Sequence, residues 1–183
     1  MASKGVLLLG ALALAGCSTV SVEHLDVESP RTVEDVCEFD RDPDPEGLSG
    51  IAHIGGNRYF SVDDRGGLLH ELEIVQDEEG DVKSCKVVRS VRLEGRIDLE
   101  GCASDPLDGL VWVSDEHDTT IRQFDPETGR ETARAAVPEV FGKNIRGNRS
   151  FEGLTISPDG FRMYVANEDT LACDGKPADD LRG

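Results

Sequence analysis

A repeat of about fifty residues constrains the fold of this 183-residue chain more than any other feature. Three segments begin with an acid or a serine followed by glycine, and each reaches a polar residue fifteen positions later. The starting pairs are Ser49-Gly50, Glu100-Gly101 and Glu152-Gly153, and the later residues are Asp64, Asp115 and Asn167. Short β-type runs alternate with turns that contain Pro and Gly between these positions. This pattern is typical of a β-propeller, in which each blade is a four-stranded antiparallel sheet.

The repeat therefore predicts an all-β fold, a β-propeller with four-stranded antiparallel blades. Strands are expected at about 48–54, 58–63, 68–75 and 85–93, and again at about 102–104, 110–114, 119–124 and 132–137. Helix is nearly absent from this pattern. The alternative is a β-sandwich with strands spaced about 8–12 residues apart, but a sandwich does not predict an acid–glycine pair at a fixed phase.

The length of the chain is short for a closed propeller, which needs about 4–8 blades. The sequence holds two complete repeats and the first two strands of a third. We expect an incomplete fragment of about two and a half blades, truncated at the C-terminus; an assembly of partial propellers is the alternative. The predicted organisation is a signal peptide over 1–17, an N-terminal linker or first strand over 18–40 and the propeller domain over 41–183.

The N-terminus has the pattern of a secretory signal. Lys4 precedes an apolar run of ten residues, Gly5–Leu14, which is too short for a transmembrane helix of about 20 residues. The run ends in Leu14-Ala15-Gly16-Cys17, which resembles the lipobox of bacterial lipoproteins. This resemblance implies lipidation of Cys17 and anchoring to a membrane of the cell envelope, at the outer membrane or periplasm of a Gram-negative bacterium. An ordinary signal peptide with a chance cysteine is the alternative.

The charge balance excludes one class of partner. Asp and Glu number 37 against 19 Lys and Arg, a formal net charge of −18. Nucleic-acid binding needs clustered Lys and Arg, so we expect no nucleic-acid partner. An acidic chain suits a secreted soluble surface, cation binding or both.

Four cysteines follow Cys17, namely Cys37, Cys85, Cys102 and Cys173. An even number in an exported chain favours disulfides, and four cysteines allow three connectivities. Since no C-x-x-C pair occurs, a zinc site is not expected. Cys37–Cys85 together with Cys102–Cys173 is the preferred pairing, and free buried thiols are the alternative.

Several motifs recur together along the repeats. They are Pro45–Ala52 with Ser61–Gly66, Leu99–Gly101 with Trp112–Glu116, Ser150–Leu154 with Ser157–Gly160, and Glu168–Leu171 with Asp174-Gly175. As a set, over about residues 45–175, they resemble the phytase-like esterase domain family. The resemblance implies a secreted propeller, often a lipoprotein, with an esterase-like activity related to phytases. The Asp-Asp-Pro-Ala and Asn-Asn-x-Asp-x-Arg elements of true β-propeller phytases do not occur in the sequence, so phytate hydrolysis is not implied.

The acid–glycine pairs also resemble those of gluconolactonase-type propellers, in which such a Glu holds a divalent metal. The first strand of each propeller blade lines the central channel, so the acids that open the repeats would gather at its mouth. Clustered carboxylates repel one another unless a cation lies among them, and oxygen ligands suit Ca²⁺ or another divalent cation. The predicted metal ligands are Glu46, Glu100, Glu152, Asp64, Asp115 and Asn167. Equally open is a structural role, in which the glycine permits a tight turn and the acid caps N–H groups of the neighbouring blade.

A hydrolytic reaction at such a metal needs a base and a substrate-binding group. His117 and Glu116 are the candidate catalytic residues, although His117 also fits a solvated loop; Arg65 is a candidate for an anionic substrate group, or a partner of Asp63. No Gly-x-Ser-x-Gly motif occurs, which excludes a serine esterase of the α/β-hydrolase kind. The predicted function is metal-dependent hydrolysis of a small ester or phosphoester, with this fragment itself inactive. The alternative is a non-catalytic propeller that binds a small molecule or a protein at the cell envelope.

Overall fold

The computed structural model describes Phe39, Pro45 and residues 47–95 and 98–176. Contacts between Cα atoms divide the chain into residues 1–33 and 34–183, and every described residue lies in the second unit. The predicted signal segment with Cys17 lies outside the described residues. None of the described helices is long and apolar enough to cross a lipid bilayer.

Ten strands form three antiparallel sheets in the described residues. The strands are β1 (Leu48–Gly55), β2 (Arg58–Asp63), β3 (Leu68–Gln76), β4 (Val82–Arg92), β5 (Leu99–Ser104), β6 (Val111–Asp115), β7 (Thr120–Phe124), β8 (Glu131–Arg134), β9 (Phe151–Ile156) and β10 (Met163–Asn167). The sheets have the orders β1-β2-β3-β4, β5-β6-β7-β8 and β9-β10. A short helix, α1 (Glu139–Asn144), precedes β9, and a 3₁₀-helix over Ala172–Asp174 follows β10.

The topology of the sheets is that of propeller blades. In both four-stranded sheets every strand pairs with the next strand in the chain, which is the meander of a blade. The first strands of the three sheets pack side by side in the order β1, β5, β9, as the innermost strands of successive blades do. The prediction of an all-β propeller is confirmed, and the described chain contains two complete blades and the first two strands of a third.

The hydrophobic core lies between the first and second blades. Val62 and Leu69 of the first blade cluster with Val111, Val113 and Phe124 of the second, and all five are essentially inaccessible to solvent. The alternation of apolar residues in β6 places its two valines on one face of the sheet. Each such side chain contributes about 1.5–3 kcal/mol to stability through its burial.

The glycines of the acid–glycine pairs let the innermost strands approach closely. A Cβ atom on Gly50 would lie 2.4 Å from the backbone nitrogen of Cys102, and one on Gly101 would lie 2.6 Å from the carbonyl oxygen of Glu152. Both contacts are with backbone atoms, so a side chain at either position would force the strands apart. Gly50 and Gly101 therefore serve strand packing, and the tight turn assigned to the glycine in the structural alternative above is wrong at these two positions.

Helix α1 departs from the expectation of nearly no helix. Pro138 stands at its N-cap, and the ring of Phe141 contacts the ring of Phe151 with centroids 5.6 Å apart. Since the helix has only six residues, too few to be stable alone, its packing against the start of β9 holds it in place. Period-based analysis does not detect a single helical turn of this kind.

The cysteines differ in part from the preferred pairing. Cys102 is a free buried thiol and Cys173 is a free exposed one, so the predicted Cys102–Cys173 disulfide is wrong. Cys102 belongs to the core between the blades, and burial raises the pKa of its thiol to about 12. Cys85 is disulfide-bonded; its predicted partner, Cys37, lies outside the described residues, and that pairing stays a prediction.

Candidate functional site

Five carboxylates gather where the innermost strands begin, and we call them the carboxylate cluster. They form two groups that share Glu116: Asp98, Glu100 and Glu116 in one, and Glu116, Glu152 and Glu168 in the other. Within each group, one ligand oxygen from every side chain lies within 4.8 Å of the others. Oxygens at this separation can contact one ion between them, because Ca²⁺ binds oxygen at about 2.3–2.6 Å.

The blade topology brings these residues together from distant parts of the sequence. In each blade the first strand begins beside the end of the second, because the two strands are antiparallel. The N–H of Glu116, which follows β6, donates to the carbonyl of Asp98 before β5 at 2.9 Å. The N–H of Glu168, which follows β10, donates to the carbonyl of Ser150 before β9, also at 2.9 Å. Each blade therefore has two sets of carboxylates at the same end. One set lies around the start of the first strand, and the other follows the second strand.

Hydrogen bonds fix two of the carboxylates and link successive blades. One oxygen of Glu116 accepts the N–H of Ser150 at 3.0 Å, and the other accepts a short hydrogen bond from the amide of Asn148. The hydroxyl of Ser49, in the first blade, donates to Glu100 Oε2 in the second at 2.6 Å. Capping of N–H groups in a neighbouring blade is therefore a role that Glu116 performs.

The cluster perturbs the ionisation of its own members. Burial and the negative charges of Glu100, Glu116 and Glu168 raise the pKa of Glu152 to about 7. Burial likewise raises the pKa of Glu116, and the charges of Glu100, Asp98 and Glu168 add to the effect, while the N–H of Ser150 opposes it. Loss of solvation on burial is the larger physical cause for both groups, and the proximity of like charges adds to it. A bound cation would reverse this effect and lower both pKa values.

A cavity of about 380 Å³ lies along the innermost strands next to the cluster. It is lined by three consecutive residues from each of these strands: Ser49, Gly50, Ile51, Glu100, Gly101, Cys102, Glu152, Gly153 and Leu154. Glu100 and Glu152 thus border both the carboxylate cluster and a space that can admit a small molecule.

The strand pairing shows that the constant spacing of fifteen positions, which makes Asp64 the equivalent of Asp115 and Asn167, is wrong by one residue in the first blade. Ile51 pairs with Ser61, ten positions on, whereas Cys102 pairs with Val113 and Leu154 with Val165, each eleven positions on. Leu48, Leu99 and Phe151 accordingly pair with Asp63, Asp115 and Asn167. The structural equivalent of Asp115 and Asn167 is therefore Asp63, and Asp64 corresponds to Glu116 and Glu168.

The acids at the ends of the second strands stabilise the blades. Asp115 is fully buried and accepts from Arg122 Nη1 at 3.0 Å and from the N–H of Asp98 at 3.2 Å. Asp63 accepts the N–H groups of Gly66 and Leu68 through one oxygen, at 2.8 and 3.0 Å. Both acids cap backbone groups of their own blade, and Asp115 lies in neither group of the carboxylate cluster.

The other predicted ligands lie in different places. Asp64 belongs to neither group; its Oδ1 lies so close to Gly47 that a Cβ there would be 1.8 Å away. Asn167 ends β10, where it pairs with Phe151. Glu46 lies outside the described residues. Glu100 and Glu152 are the predicted ligands that the structure brings together in the cluster.

The candidate catalytic residues are separated by the fold. Glu116 is buried at the centre of the cluster. The His117 side chain is 47% exposed, with Nε2 3.9 Å from Asp118 Oδ1, and joins neither group. Arg65 is exposed and lies 3.6 Å from Asp64, not paired with Asp63. Catalytic roles for His117 and Glu116, and substrate binding by Arg65, stay predictions.

Sequence reasoning missed Asp98 and Glu168 as members of the cluster. The signal was present: Asp98 stands two residues before the Glu100-Gly101 pair, and Glu168 follows Asn167 directly. Only the pairing of strands shows that residues at these two phases of the repeat share one end of the blade.

Comparison with known proteins decides the family. The phytase-like family, described as esterase-like activity of phytase, matches residues 44–182. The chain belongs to this family. An uncharacterized secreted protein of Arthroderma benhamiae is 31% identical to the phytase-like chain over 38% of this chain and 19% of its own length. The chain therefore spans about a fifth of the length of the curated relative that it matches.

Solved structures of several proteins superpose on the phytase-like chain with low sequence identity. Glutaminyl cyclase of Myxococcus xanthus gives a TM-score of 0.47 at 15% identity, covering 67% of this chain and 51% of that one. A putative gluconolactonase gives a TM-score of 0.44 at 17% identity, covering 69% of this chain and 38% of that one. The propeller fold itself rests on the blade topology described above.

Proposed function

We propose that this phytase-like chain is part of an exported, cation-dependent hydrolase that acts on a small ester or phosphoester. The observation that carries the proposal is the carboxylate cluster, in which five acids gather where the innermost strands begin. Two of these acids have raised pKa values, and the cluster lies beside a cavity of about 380 Å³. Membership of a family described by esterase-like activity names the reaction class.

The donor set fits a hard divalent cation. Every group in the cluster is a carboxylate, and carboxylate oxygens are preferred ligands of Ca²⁺. Either of the two groups that share Glu116 could supply three carboxylate ligands to such an ion. A bound cation of this kind supplies Lewis-acid polarisation of a carbonyl or phosphoryl oxygen and lowers the pKa of water.

The chain's own residues would perform three tasks. The cavity along the innermost strands would orient the substrate beside Glu100 and Glu152. Glu116, fixed through both oxygens by Ser150 and Asn148, would keep the geometry of the cluster constant. Glu152, which borders both the cavity and the carboxylate cluster, would hold the cation at the wall of the cavity against which the substrate lies.

Export is the second part of the proposal. The Arthroderma benhamiae relative is a secreted protein, and Cys85 is disulfide-bonded, which is typical of oxidising compartments. Lipidation of Cys17 would then anchor the protein to a membrane of the bacterial envelope, with no nucleic-acid partner.

The decisive experiment combines ion binding with activity. Calorimetric titration of the full chain with Ca²⁺ should show binding that Glu100→Gln weakens at least tenfold, whereas Glu78→Gln, at the exposed tip between β3 and β4, leaves it unchanged. A panel of esters, lactones and phosphoesters, assayed on a longer protein that contains this chain, should show turnover that a chelator abolishes. Absence of Ca²⁺ binding, with other divalent ions equally inert, would overturn the cation dependence.

A non-catalytic binding module at the cell envelope is the second candidate. This candidate is favoured because both oxygens of Glu116 accept hydrogen bonds from the residues that precede the third blade. Glu116 therefore already has a structural role in the cluster. Ion binding with no turnover across the whole panel would favour this candidate over the hydrolase.

A further inference from the structure

We propose that the carboxylate cluster holds two cations, with Glu116 as the carboxylate that bridges them and the hydroxyl of Ser150 as an additional ligand of the second. This inference rests on the cation binding proposed above and specifies its stoichiometry and ligands. Each position would be bounded by one of the two groups that share Glu116.

Charge is the first argument for two ions. The five carboxylates carry a formal charge of −5 when ionised. One divalent cation would leave −3 in a partly buried site, where like charges raise one another's free energy. Two cations would leave −1, which makes the ionised form of the whole cluster stable at neutral pH.

Ser150 is the second and independent observation. Its side chain is completely buried, and its Oγ has no hydrogen-bond partner among the described residues. A buried hydroxyl without a partner costs about 1–3 kcal/mol, so its presence favours a ligand that the described residues do not supply. An oxygen of this kind is an acceptable ligand for Ca²⁺, which takes 6–8 oxygens.

The repeat places Ser150 in register with a member of the cluster. Ser150 stands two residues before Glu152, as Asp98 stands two residues before Glu100. The carbonyl of Ser150 accepts the N–H of Glu168, as that of Asp98 accepts the N–H of Glu116, both at 2.9 Å. The backbone of Ser150 therefore occupies, in the third repeat, the position that the backbone of Asp98 occupies in the second.

Glu116 has the capacity to bridge. Each of its oxygens accepts one hydrogen bond, from Ser150 and from Asn148, and a carboxylate offers about four lone-pair sites. One lone pair on each oxygen is thus left for an ion. These hydrogen bonds also fix the carboxylate between the second blade and the start of β9.

The test is the number of ions bound by the full chain. Terbium luminescence and calorimetry with Ca²⁺ should both give two ions per chain. Asp98→Asn and Glu168→Gln should each leave one, because each removes a ligand of a different position. Ser150→Ala should weaken only the ion lost in Glu168→Gln, by about tenfold, while the thermal unfolding midpoint in chelator changes little. Glu78→Gln, the matched surface control, should leave both ions bound.

The outcomes separate this inference from the proposed function. A stoichiometry of one at saturation overturns the paired site but leaves a cation-dependent hydrolase in place. No ion bound at all overturns both. Two ions with unchanged affinities in Ser150→Ala overturn the role of Ser150.

Discussion

At the scale of single residues, the carboxylate cluster makes the ionisation of Glu152 sensitive to pH in the neutral range. Its pKa is raised to about 7, because it is partly buried and faces the charges of Glu100, Glu116 and Glu168. The folded protein therefore binds this proton more tightly than the unfolded chain does, in which a glutamate has its ordinary pKa of about 4.3.

The sign of the resulting pH dependence is fixed by linkage. Stability falls with rising pH wherever the folded state binds more protons than the unfolded state. Ionisation of Glu152 should therefore lower stability progressively between the ordinary glutamate pKa and about 7. Because Glu116 also has a raised pKa, it should contribute with the same sign.

We predict that, in chelator, the wild-type chain loses more stability between pH 4.5 and pH 7 than Glu152→Gln does. Replacing Glu152 removes both its own ionisation and its repulsion of its neighbours. Calorimetric unfolding temperatures across this range measure the difference, and saturating Ca²⁺ should remove most of it by pairing with the carboxylates. Identical pH profiles for Glu152→Gln, wild type and the Glu78→Gln control would refute the prediction.

At the scale of strands, the Glu-Gly pair combines two functions at adjacent positions. The glutamate borders the cavity, while the glycine lets the next innermost strand pack against the backbone. Gly101 and Gly153 occupy equivalent positions, but they differ in what lies opposite. A Cβ on Gly101 would meet Glu152 and Leu154 at 2.6–2.8 Å, whereas one on Gly153 would meet only Ala166, at an ordinary 3.5 Å.

We therefore expect opposite effects from the same substitution at the two glycines. Gly101→Ala should destabilise the chain by about 1–3 kcal/mol or more, because the contact is with backbone that cannot move aside. Gly153→Ala should be neutral or stabilise by about 0.4–1 kcal/mol, because it restricts the unfolded chain. Urea unfolding followed by the fluorescence of the single tryptophan, Trp112, measures both. Equal destabilisation by the two substitutions would contradict the packing role.

The sequence was sufficient to predict the strands but not their register. The predicted 58–63 strand matches β2, because apolar alternation and flanking turns define it. The equivalence of Asp64 with Asp115 was wrong, because Ile51 pairs with a residue ten positions on, whereas its equivalent Cys102 pairs with one eleven positions on. One residue changes which side chain points to which face. For this reason the sequence did not reveal that Asp63 and Asp115 are buried caps. It also did not reveal that Asp98 and Glu168 join the carboxylate cluster.

At the scale of the whole molecule, the first two blades share one core and should unfold together. Cys102 of β5 lies in that core with Phe60 and Val62 of β2, and its Sγ lies 3.7 Å from the carbonyl oxygen of Phe60. Exposure of this thiol therefore requires the blades to separate. Cys173, by contrast, is exposed in the folded chain.

This difference predicts a labelling pattern that reports on the assembly of the blades. In the native, oxidised protein a small thiol reagent should modify Cys173 and spare Cys102, whose burial and pKa of about 12 suppress the reactive thiolate. In urea, Cys102 should become reactive over the same concentration range in which Trp112 fluorescence changes.

Cys85 should react only after reduction, and peptide mapping without reductant should find it joined to Cys37. A crosslinked Cys102–Cys173 peptide, or labelling of Cys102 well before the fluorescence transition, would mean that the two blades do not form one cooperative unit around this thiol.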